Sequence, residues 1–271
     1  MNPPLITKKA LVYSVLLSLF VIFAIIISTV FDNRTKIVFC DVGQGDAAYI
    51  RIKNKFDLLV DAGPDRKIIN CLGKYMPFYD RTIEMVIVSH WQKDHYGGLL
   101  FLLDRYQIEQ IVTGKQTDVN KIKKIIKQPI EIKFVDNKSR FNLFNDRLIF
   151  YWPGNNYFFS STDNASSLIF SFQENQFKVL FTADAPASVF NYLPKQEISH
   201  VSILKVPHHG SKTGLNKTFL KLADPGLSVI SVGKNNVYGH PHKEVIDSLK
   251  ALNKNYWRTD ENGDLVIRIK N

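Results

Sequence analysis

One feature recurs along this sequence and constrains its fold more than any other: a short apolar run that ends in potential metal ligands. Residues 86–88 are typical of a buried strand, and His90, Asp94 and His95 follow them closely. A loop at the carboxyl end of a strand is where α/β proteins place their chemistry. Because imidazole and carboxylate groups bind zinc and other first-row divalent metals, the loop is a candidate metal site. Taken alone, it is equally compatible with a polar surface loop.

Three further apolar runs end in the same way. The runs at residues 179–181, 201–206 and 227–232 lead into Asp184, into His208 and His209, and into His240 and His242. If these strands share one layer and one direction, their ends meet at one edge of a sheet. Six of the seven histidines belong to these loops, and only His200 does not. The clustering predicts one composite site.

The order of the predicted elements indicates the fold class. Strands, a helix, more strands and a late helix suit two sheets packed face to face with helices outside. We assign the predicted strands Glu131–Val135, 148–152 and 168–172 to the second sheet. The predicted fold is therefore α/β, an αββα sandwich of two mixed β-sheets, and residues 36–271 form its single domain.

The N-terminal region predicts a membrane anchor. Residues 11–30 form an uncharged apolar run of the length that crosses a bilayer. The run lacks a small-residue cleavage site, which favours an uncleaved anchor over a signal peptide. Lys8 and Lys9 favour an internal tail and an external domain. We therefore expect residues 1–35 to hold a tail and one transmembrane helix, giving a single-pass cell-membrane protein with an extracellular domain.

Composition adds two expectations. The net charge of +10 favours an anionic partner such as nucleic acid, another phosphate polymer or a lipid headgroup surface. It is equally compatible with a basic excess that serves solubility alone. The two cysteines, Cys40 and Cys71, form no C-x-x-C pair, so two buried free thiols are the favoured interpretation and a single disulfide is the alternative.

The loop after residue 88 resembles a known motif. Its sequence, SHxxxDHxGG at residues 89–98, is similar to the H-x-H-x-D-H motif of the metallo-β-lactamase superfamily. The likeness narrows to the metallo-β-lactamase-like domain of the ComEC family of DNA-uptake channel proteins through DVGQGDA (41–47), VDAG (60–63), KVPHHGS (205–211) and YGHP (238–241). It runs from about Lys36 to the C-terminus. Nothing in the chain resembles the multi-span ComEC channel, and secreted phosphorylcholine esterases of the superfamily carry related motifs.

The resemblance implies a role for each candidate residue. His90 would bind a first metal ion, Asp94 and His95 a second, and Asp184 would bridge both. One of His208 and His209 would complete the second site, with His209 favoured, and the other would line the pocket. His240 would donate a proton or bind phosphate, and it is predicted to be catalytic together with Asp94. Asp61 would be structural, near the site but not a ligand.

Two positions depart from the superfamily pattern. Gln92 stands where the superfamily has His and the ComEC group commonly has Asp, and a neutral amide is a poorer ligand than either. No histidine lies between His95 and His200, so a usual third ligand of the first metal is missing. Asn164 lies in the corresponding region and would also be a weak ligand. We expect zinc or manganese as the cofactor, with one or two ions per chain.

The resemblance implies a hydrolase, and three functions stay open. The first is a membrane-anchored, metal-dependent phosphodiesterase or nuclease that acts on DNA in a ComEC-like role in DNA uptake, with a channel partner that the sequence does not identify. The second is a cell-envelope phosphorylcholine-type esterase acting on another anionic polymer. The third is a catalytically weak relative that binds DNA or acts as a scaffold, which Gln92 favours and the retained ligands oppose.

Overall fold

Two mixed β-sheets of seven strands each form the centre of the protein. The structure is a computed structural model, and it describes residues 8–30, 33–115, 117–154 and 163–269. The strands in chain order are β1 (Lys36–Phe39), β2 (Ala48–Ile52), β3 (Phe56–Val60), β4 (Thr82–Val88), β5 (Gln107–Gly114), β6 (Glu131–Val135), β7 (Arg140–Leu143), β8 (Asp146–Trp152), β9 (Ile169–Glu174), β10 (Phe177–Phe181), β11 (Ile203–Lys205), β12 (Leu227–Ile230), β13 (Asn255–Arg258) and β14 (Leu265–Arg268).

The helices lie mainly between strands. The α-helices are α1 (Lys8–Val30), α2 (Lys67–Tyr75), α3 (Lys93–Tyr96), α4 (Leu99–Leu102), α5 (Val119–Ile125), α6 (Lys217–Ala223), α7 (Lys243–Ala251) and α8 (Thr259–Asn262). Short 3-10 helices cover Asp163–Ser166 and Ala187–Tyr192, and a tight turn covers Pro207–Gly210. Asn216 caps α6 because its side chain accepts a 2.8 Å hydrogen bond from the Phe219 amide.

Each sheet has an antiparallel half and a parallel half. The first sheet has the order β14-β1-β2-β3-β4-β5-β6, and it becomes parallel from β3 onward. The second has the order β13-β12-β11-β10-β9-β8-β7, and it is parallel from β10 to β13. The prediction of two mixed sheets is confirmed. The assignment of Glu131–Val135 to the second sheet is wrong, because this strand pairs in parallel with β5 at the edge of the first.

Three apolar layers hold the sandwich together. Aromatic rings fill the space between the sheets, where Phe170 stacks on Phe150 at 5.1 Å and on Phe181 at 5.0 Å. A second layer joins the first sheet to α2, which buries Ile68, Cys71 and Leu72 on one face, as expected for an amphipathic helix. A third joins the second sheet to α6 and α7. The layers give the predicted αββα order.

The two cysteines are bonded to each other. Cys40, directly after β1, forms a disulfide with Cys71 of α2, and their Cα atoms lie 5.9 Å apart. The expectation of two free thiols is therefore wrong, and the alternative of a single disulfide holds. Sequence could not decide, because β1 and α2 are brought together only when α2 packs on the first sheet.

The N-terminal apolar run forms the helix α1. Among the residues that the structure describes, however, no helix meets the length and hydropathy needed to cross a membrane. The expected transmembrane helix is therefore not found.

Candidate metal centre

The predicted ligands converge at one edge of the sandwich. Three of the strands that precede them, β10, β11 and β12, are parallel neighbours in the second sheet, so their carboxyl ends lie side by side. The fourth, β4, belongs to the first sheet. The strands that precede the ligands therefore belong to two layers and not to one, contrary to the arrangement considered from sequence. The site lies between the ends of the two sheets.

Backbone contacts hold the loop after β4 in place. The Asp46 amide donates to the Asp94 carbonyl at 3.2 Å, and the Ala62 amide donates to the His95 carbonyl at 2.7 Å. Gly45 has a φ of +152°, and a Cβ there would lie 2.3 Å from the Asp94 carbonyl oxygen. Only glycine permits this close approach, which explains the glycine in the turn after β1.

Four side chains bring their ligand atoms within 4.8 Å of one another: Asp94, His95, Asp184 and His209. His95 Nε2 lies 3.3 Å from Asp184 Oδ1 and 3.9 Å from Asp94 Oδ2. His209 Nε2 lies 3.3 Å from Asp94 Oδ2 and 3.5 Å from Asp184 Oδ1. Three of the four residues are buried, whereas the Asp94 side chain is 30% exposed and opens the cluster to solvent.

Asp61 orients the cluster without joining these four groups. One of its oxygens, Oδ1, accepts from the Ser89 amide at 2.8 Å, and Oδ2 accepts from the Ser89 hydroxyl at 2.7 Å. Oδ2 also lies 2.9 Å from His95 Nδ1, which leaves His95 Nε2 facing Asp184. This is how a second carboxylate fixes the ring of a ligating histidine. The geometry agrees with the structural role expected for Asp61, which stays a prediction.

The ring of His209 is also held in place by neighbouring groups, and these were not predicted from sequence. Its Nδ1 donates to the Ser231 carbonyl at 2.9 Å and lies 3.2 Å from Asp46 Oδ1. Asp46 in turn lies 2.8 Å from Lys205 Nζ, and both side chains are buried. The signals available in sequence were an acidic residue in a glycine turn and a lysine within a strand, but only the fold pairs them.

The two adjacent histidines point to different places because of an unusual turn. His208 and His209 both have positive φ, 50° and 54°, a conformation that costs about 1–3 kcal/mol each. His208 Nε2 lies 3.6 Å from Asp184 Oδ2, the oxygen opposite the one that faces His95. Asp184 therefore separates two groups of imidazoles, with His208 on one side and His95 and His209 on the other.

Fewer ligand atoms converge in the part of the site near His90, where Gln92 and Asn164 depart from the superfamily pattern. His90 is buried, with its ring centroid 4.1 Å from that of His95, but it lies outside the four-residue cluster. Gln92 and Asn164 hydrogen-bond to each other, because the Gln92 amide donates to the Asn164 side-chain oxygen. Asn164 Nδ2 lies 3.5 Å from His208 Nε2. The amide oxygen expected from Asn164 is therefore engaged.

His240 lies at the rim of the site. Its ring centroid is 5.6 Å from that of His208 and 6.3 Å from that of His209. Asn236 holds this loop, because its side chain donates to the His240 carbonyl at 2.6 Å and accepts from the His240 amide at 3.0 Å. The position suits a group that meets substrate bound at the cluster.

The charges of the cluster balance one another. Burial alone would lower the pKa of His95, yet the carboxylates of Asp184 and Asp61 hold it well above its usual range. Burial would also lower the pKa of His209, but Asp184 and Asp46 outweigh it and raise this pKa to about 10. Burial favours a high pKa for Asp184, but His209 and His95 hold it well below its usual value. Protons on the two imidazoles thus neutralise the carboxylates.

The outer imidazoles carry no such charge. Burial, with the nearby His95, lowers the pKa of His90 to about 3. Burial, with His209 and His208, lowers the pKa of His240 to about 4. Both rings are therefore neutral at pH 7, and His240 is available as a base or as a neutral hydrogen-bond donor.

The four-residue cluster fits a divalent ion. Among the described residues, the buried atoms His95 Nε2 and Asp184 Oδ1 have no hydrogen-bond partner. A tetrahedral zinc site with bonds of about 2.0–2.1 Å places its ligand atoms roughly 3.3 Å apart. The measured separations of 3.3–3.9 Å are close to that value. Two imidazoles and two carboxylates are also a donor set that zinc and manganese accept.

The fold and this site define a class of metal-dependent hydrolases. The family model of the metallo-beta-lactamase superfamily matches residues 40–234, so the chain belongs to that superfamily. A solved metallo-beta-lactamase-fold protein from Bacillus subtilis, YhfI, has the same fold with a TM-score of 0.60 at 15% identity, covering 87% of this chain and 100% of its own.

The chain is also similar to competence proteins. It is 26% identical to ComE operon protein 3 of Bacillus subtilis strain 168 over 93% of this chain and 35% of that protein. It is 26% identical to Recombination protein 2 of Haemophilus influenzae over 84% of this chain and 28% of that protein. The chain thus spans about a third of the length of these relatives. The expected resemblance to the ComEC-type domain is confirmed.

Proposed function

We propose that this protein is a metal-dependent phosphodiesterase that cleaves DNA in a DNA-uptake role. The observation that carries the proposal is the cluster of Asp94, His95, Asp184 and His209, whose ligand atoms lie within 4.8 Å at an open edge. The similarity to a ComE operon protein supports DNA as the substrate. The net charge of +10 is favourable for a polyanion.

The four clustered side chains would hold the main ion. A divalent ion there supplies a Lewis acid and a nucleophilic water at neutral pH. Asp61 and Asp46 orient the two imidazoles, and the buried faces of the cluster exclude bulk water. His240 is neutral and lies at the rim, so it is positioned to exchange a proton with the attacking or the leaving oxygen.

A weaker ion site, for the ion that the resemblance assigns to His90, would lie on the Oδ2 side of Asp184. There His208 would take the place of the missing histidine. His90, whose ring lies beside that of His95, presents a buried Nε2 without a hydrogen-bond partner among the described residues and would be the other imidazole ligand. Gln92 and Asn164 bond to each other instead of offering two free oxygens. We therefore expect this ion to be zinc or manganese held loosely.

One assay separates the proposed function from its alternatives. Purified protein is tested with bis-p-nitrophenyl phosphate, a DNA oligonucleotide and a phosphocholine ester, with bound metal measured by elemental analysis. Hydrolysis of the first two supports the nuclease, whereas hydrolysis of the ester alone identifies the esterase. Binding of DNA with no hydrolysis at saturating Zn²⁺ and Mn²⁺ would identify the DNA-binding relative, which the Gln92–Asn164 bond favours.

We also propose that the domain works outside the cytosol and is attached to a cell membrane through α1. The Cys40–Cys71 disulfide supports an oxidising compartment. Apolar side chains of α1 between Leu11 and Phe23 are exposed, which favours contact with lipid. Cell fractionation and protease treatment of intact protoplasts test this. A domain that stays protected while a cytosolic control is also intact would contradict an external location.

A further inference from the structure

Two carboxylates are buried together at the end of the sandwich opposite the metal centre. Asp146 begins β8 and Glu174 ends β9, so both lie at the ends of strands farthest from the carboxyl end of β10. Their exposed fractions are 0% and 3%. Among the described residues, neither Asp146 oxygen has a hydrogen-bond partner, and Glu174 Oε2 has none either.

The sheet register sets these carboxylates against each other. β8 and β9 are antiparallel, and Arg147 is paired with Gln173. Asp146 and Glu174 are the next residues in that register, so they lie directly opposite. Like charges in directly opposed positions destabilise a sheet, and a buried charge without a partner costs more still. A structure that buries both requires a positive charge or a shared proton.

The cavity above the pair supplies further oxygen ligands. It has a volume of about 440 Å³, and Asp146 and Glu174 are among the residues that line it. Asn33, Asn145 and Asn175 line it as well and carry amide oxygens. Lys53, Lys55 and Phe144 complete the wall. The charge of Lys53 acts on Asp146 without forming an ion pair within 4.0 Å among the described residues.

We propose that Asp146 and Glu174 bind a hard divalent cation, of which Ca²⁺ fits best, at a site separate from the catalytic centre. Two carboxylates with amide oxygens nearby, and no imidazole or thiolate among the lining side chains, are the donor set that Ca²⁺ prefers. Ca²⁺ also accepts irregular geometry, which suits donors that come from separate turns. Asn33 lies shortly before β1, so the ion would link this part of the chain to the ends of β8 and β9.

Calcium titration of the full chain tests the proposal. Protein freed of calcium but loaded with zinc should bind one Ca²⁺ by calorimetry and unfold several degrees higher in its presence. Asp146→Asn with Glu174→Gln should weaken that binding at least tenfold, while zinc content and phosphodiesterase turnover stay unchanged. Asp184→Asn is the matched control, because it should keep the calcium response and lose the catalytic ion.

Lys53→Met distinguishes the ion from a lysine counter-charge. If Ca²⁺ neutralises the pair, removing the nearby ammonium should tighten calcium binding. If Lys53 itself neutralises the pair, the wild type shows no calcium binding and Lys53→Met lowers the unfolding temperature, which would overturn the proposal. Absence of calcium binding by the wild-type protein overturns it even if the double variant fails to fold.

Discussion

The two ends of the sandwich both bury carboxylates, but they compensate the charge differently. At the edge with the candidate metal centre, Asp184 faces His95 and His209, and these imidazoles outweigh burial and keep its pKa low. At the opposite end Asp146 faces Glu174, and burial together with that carboxylate raises its pKa to about 6. The first end has nitrogen and oxygen donors and the second only oxygen donors. From this difference in donors we expect each end to prefer a different metal: zinc or manganese at one, calcium at the other.

The largest effect should follow removal of the carboxylate that separates the imidazole groups. Asp184→Asn should release the catalytic ion and reduce phosphodiester hydrolysis by more than the ~10–100-fold typical of losing an orienting partner. Elemental analysis and turnover measure both consequences. Asp247→Asn, a surface carboxylate paired with Lys243, is the matched control and should change neither. Unchanged metal content in Asp184→Asn would refute the assignment.

The orienting carboxylates should give the next largest effect. Asp61→Asn removes the carboxylate that orients the His95 ring. Asp46→Asn removes the carboxylate beside His209 Nδ1, leaves the Ser231 carbonyl as the remaining support of that ring, and leaves Lys205 buried without its partner. Each should weaken binding of the main ion by ~10–100-fold. Competition with a chelator measures the affinity. Equal affinity in wild type and both variants would mean that these carboxylates serve the fold alone.

Gln92→Asp should have a smaller effect with the opposite sign. A carboxylate in place of the amide adds charge and basicity to the weaker ion site and breaks the bond to Asn164. The variant should reach half-maximal turnover at several-fold lower Mn²⁺. A titration that follows bound ion and turnover together tests this. An unchanged midpoint would show that position 92 does not face the ion at the weaker site.

The two ends should respond to pH in different ranges, because the groups that bind protons there differ in pKa. Asp184 and Asp46 outweigh burial and raise the pKa of His209 to about 10, and this imidazole must lose its proton before it can bind a metal ion. Ion binding by the four-residue cluster should therefore tighten as pH rises from 7 toward 10. The pKa of Asp146 is raised to about 6, so the folded state binds the extra proton and calcium-free protein should become more stable as pH falls through 6. Calorimetry and thermal unfolding measure the two effects, which are the smallest expected here.

Much of the fold was predictable because it depends on local patterns. Apolar runs ending in ligands predicted the strands that carry Asp184 and His209. The pairing of strands was not predictable from local patterns, because it depends on how the connecting segments return the chain. Glu131–Val135 joins the first sheet because α5 returns the chain beside β5, and nothing within the strand specifies that neighbour. The Cys40–Cys71 bond depends in the same way on how α2 packs.

In the candidate site, likewise, the ligand types were predictable from sequence and the contacts between distant residues were not. Residue types and spacing predicted the ligand candidates, and the structure brings four of them together. Their supports depend on contacts between residues far apart in sequence, such as Asp46 with Lys205 and Gln92 with Asn164. These contacts decide which imidazole atoms face an ion, and they require three-dimensional geometry.

The central claim is that the cluster of Asp94, His95, Asp184 and His209 holds the ion that drives phosphodiester cleavage. Its most direct test is a metal titration of exhaustively dialysed wild-type protein, with bound ion and hydrolysis of bis-p-nitrophenyl phosphate followed together. The account predicts one ion per chain retained after dialysis, with turnover rising as a second ion binds at added Mn²⁺ or Zn²⁺. A dialysed protein that holds no ion, and hydrolyses no phosphodiester at any metal concentration, would contradict it.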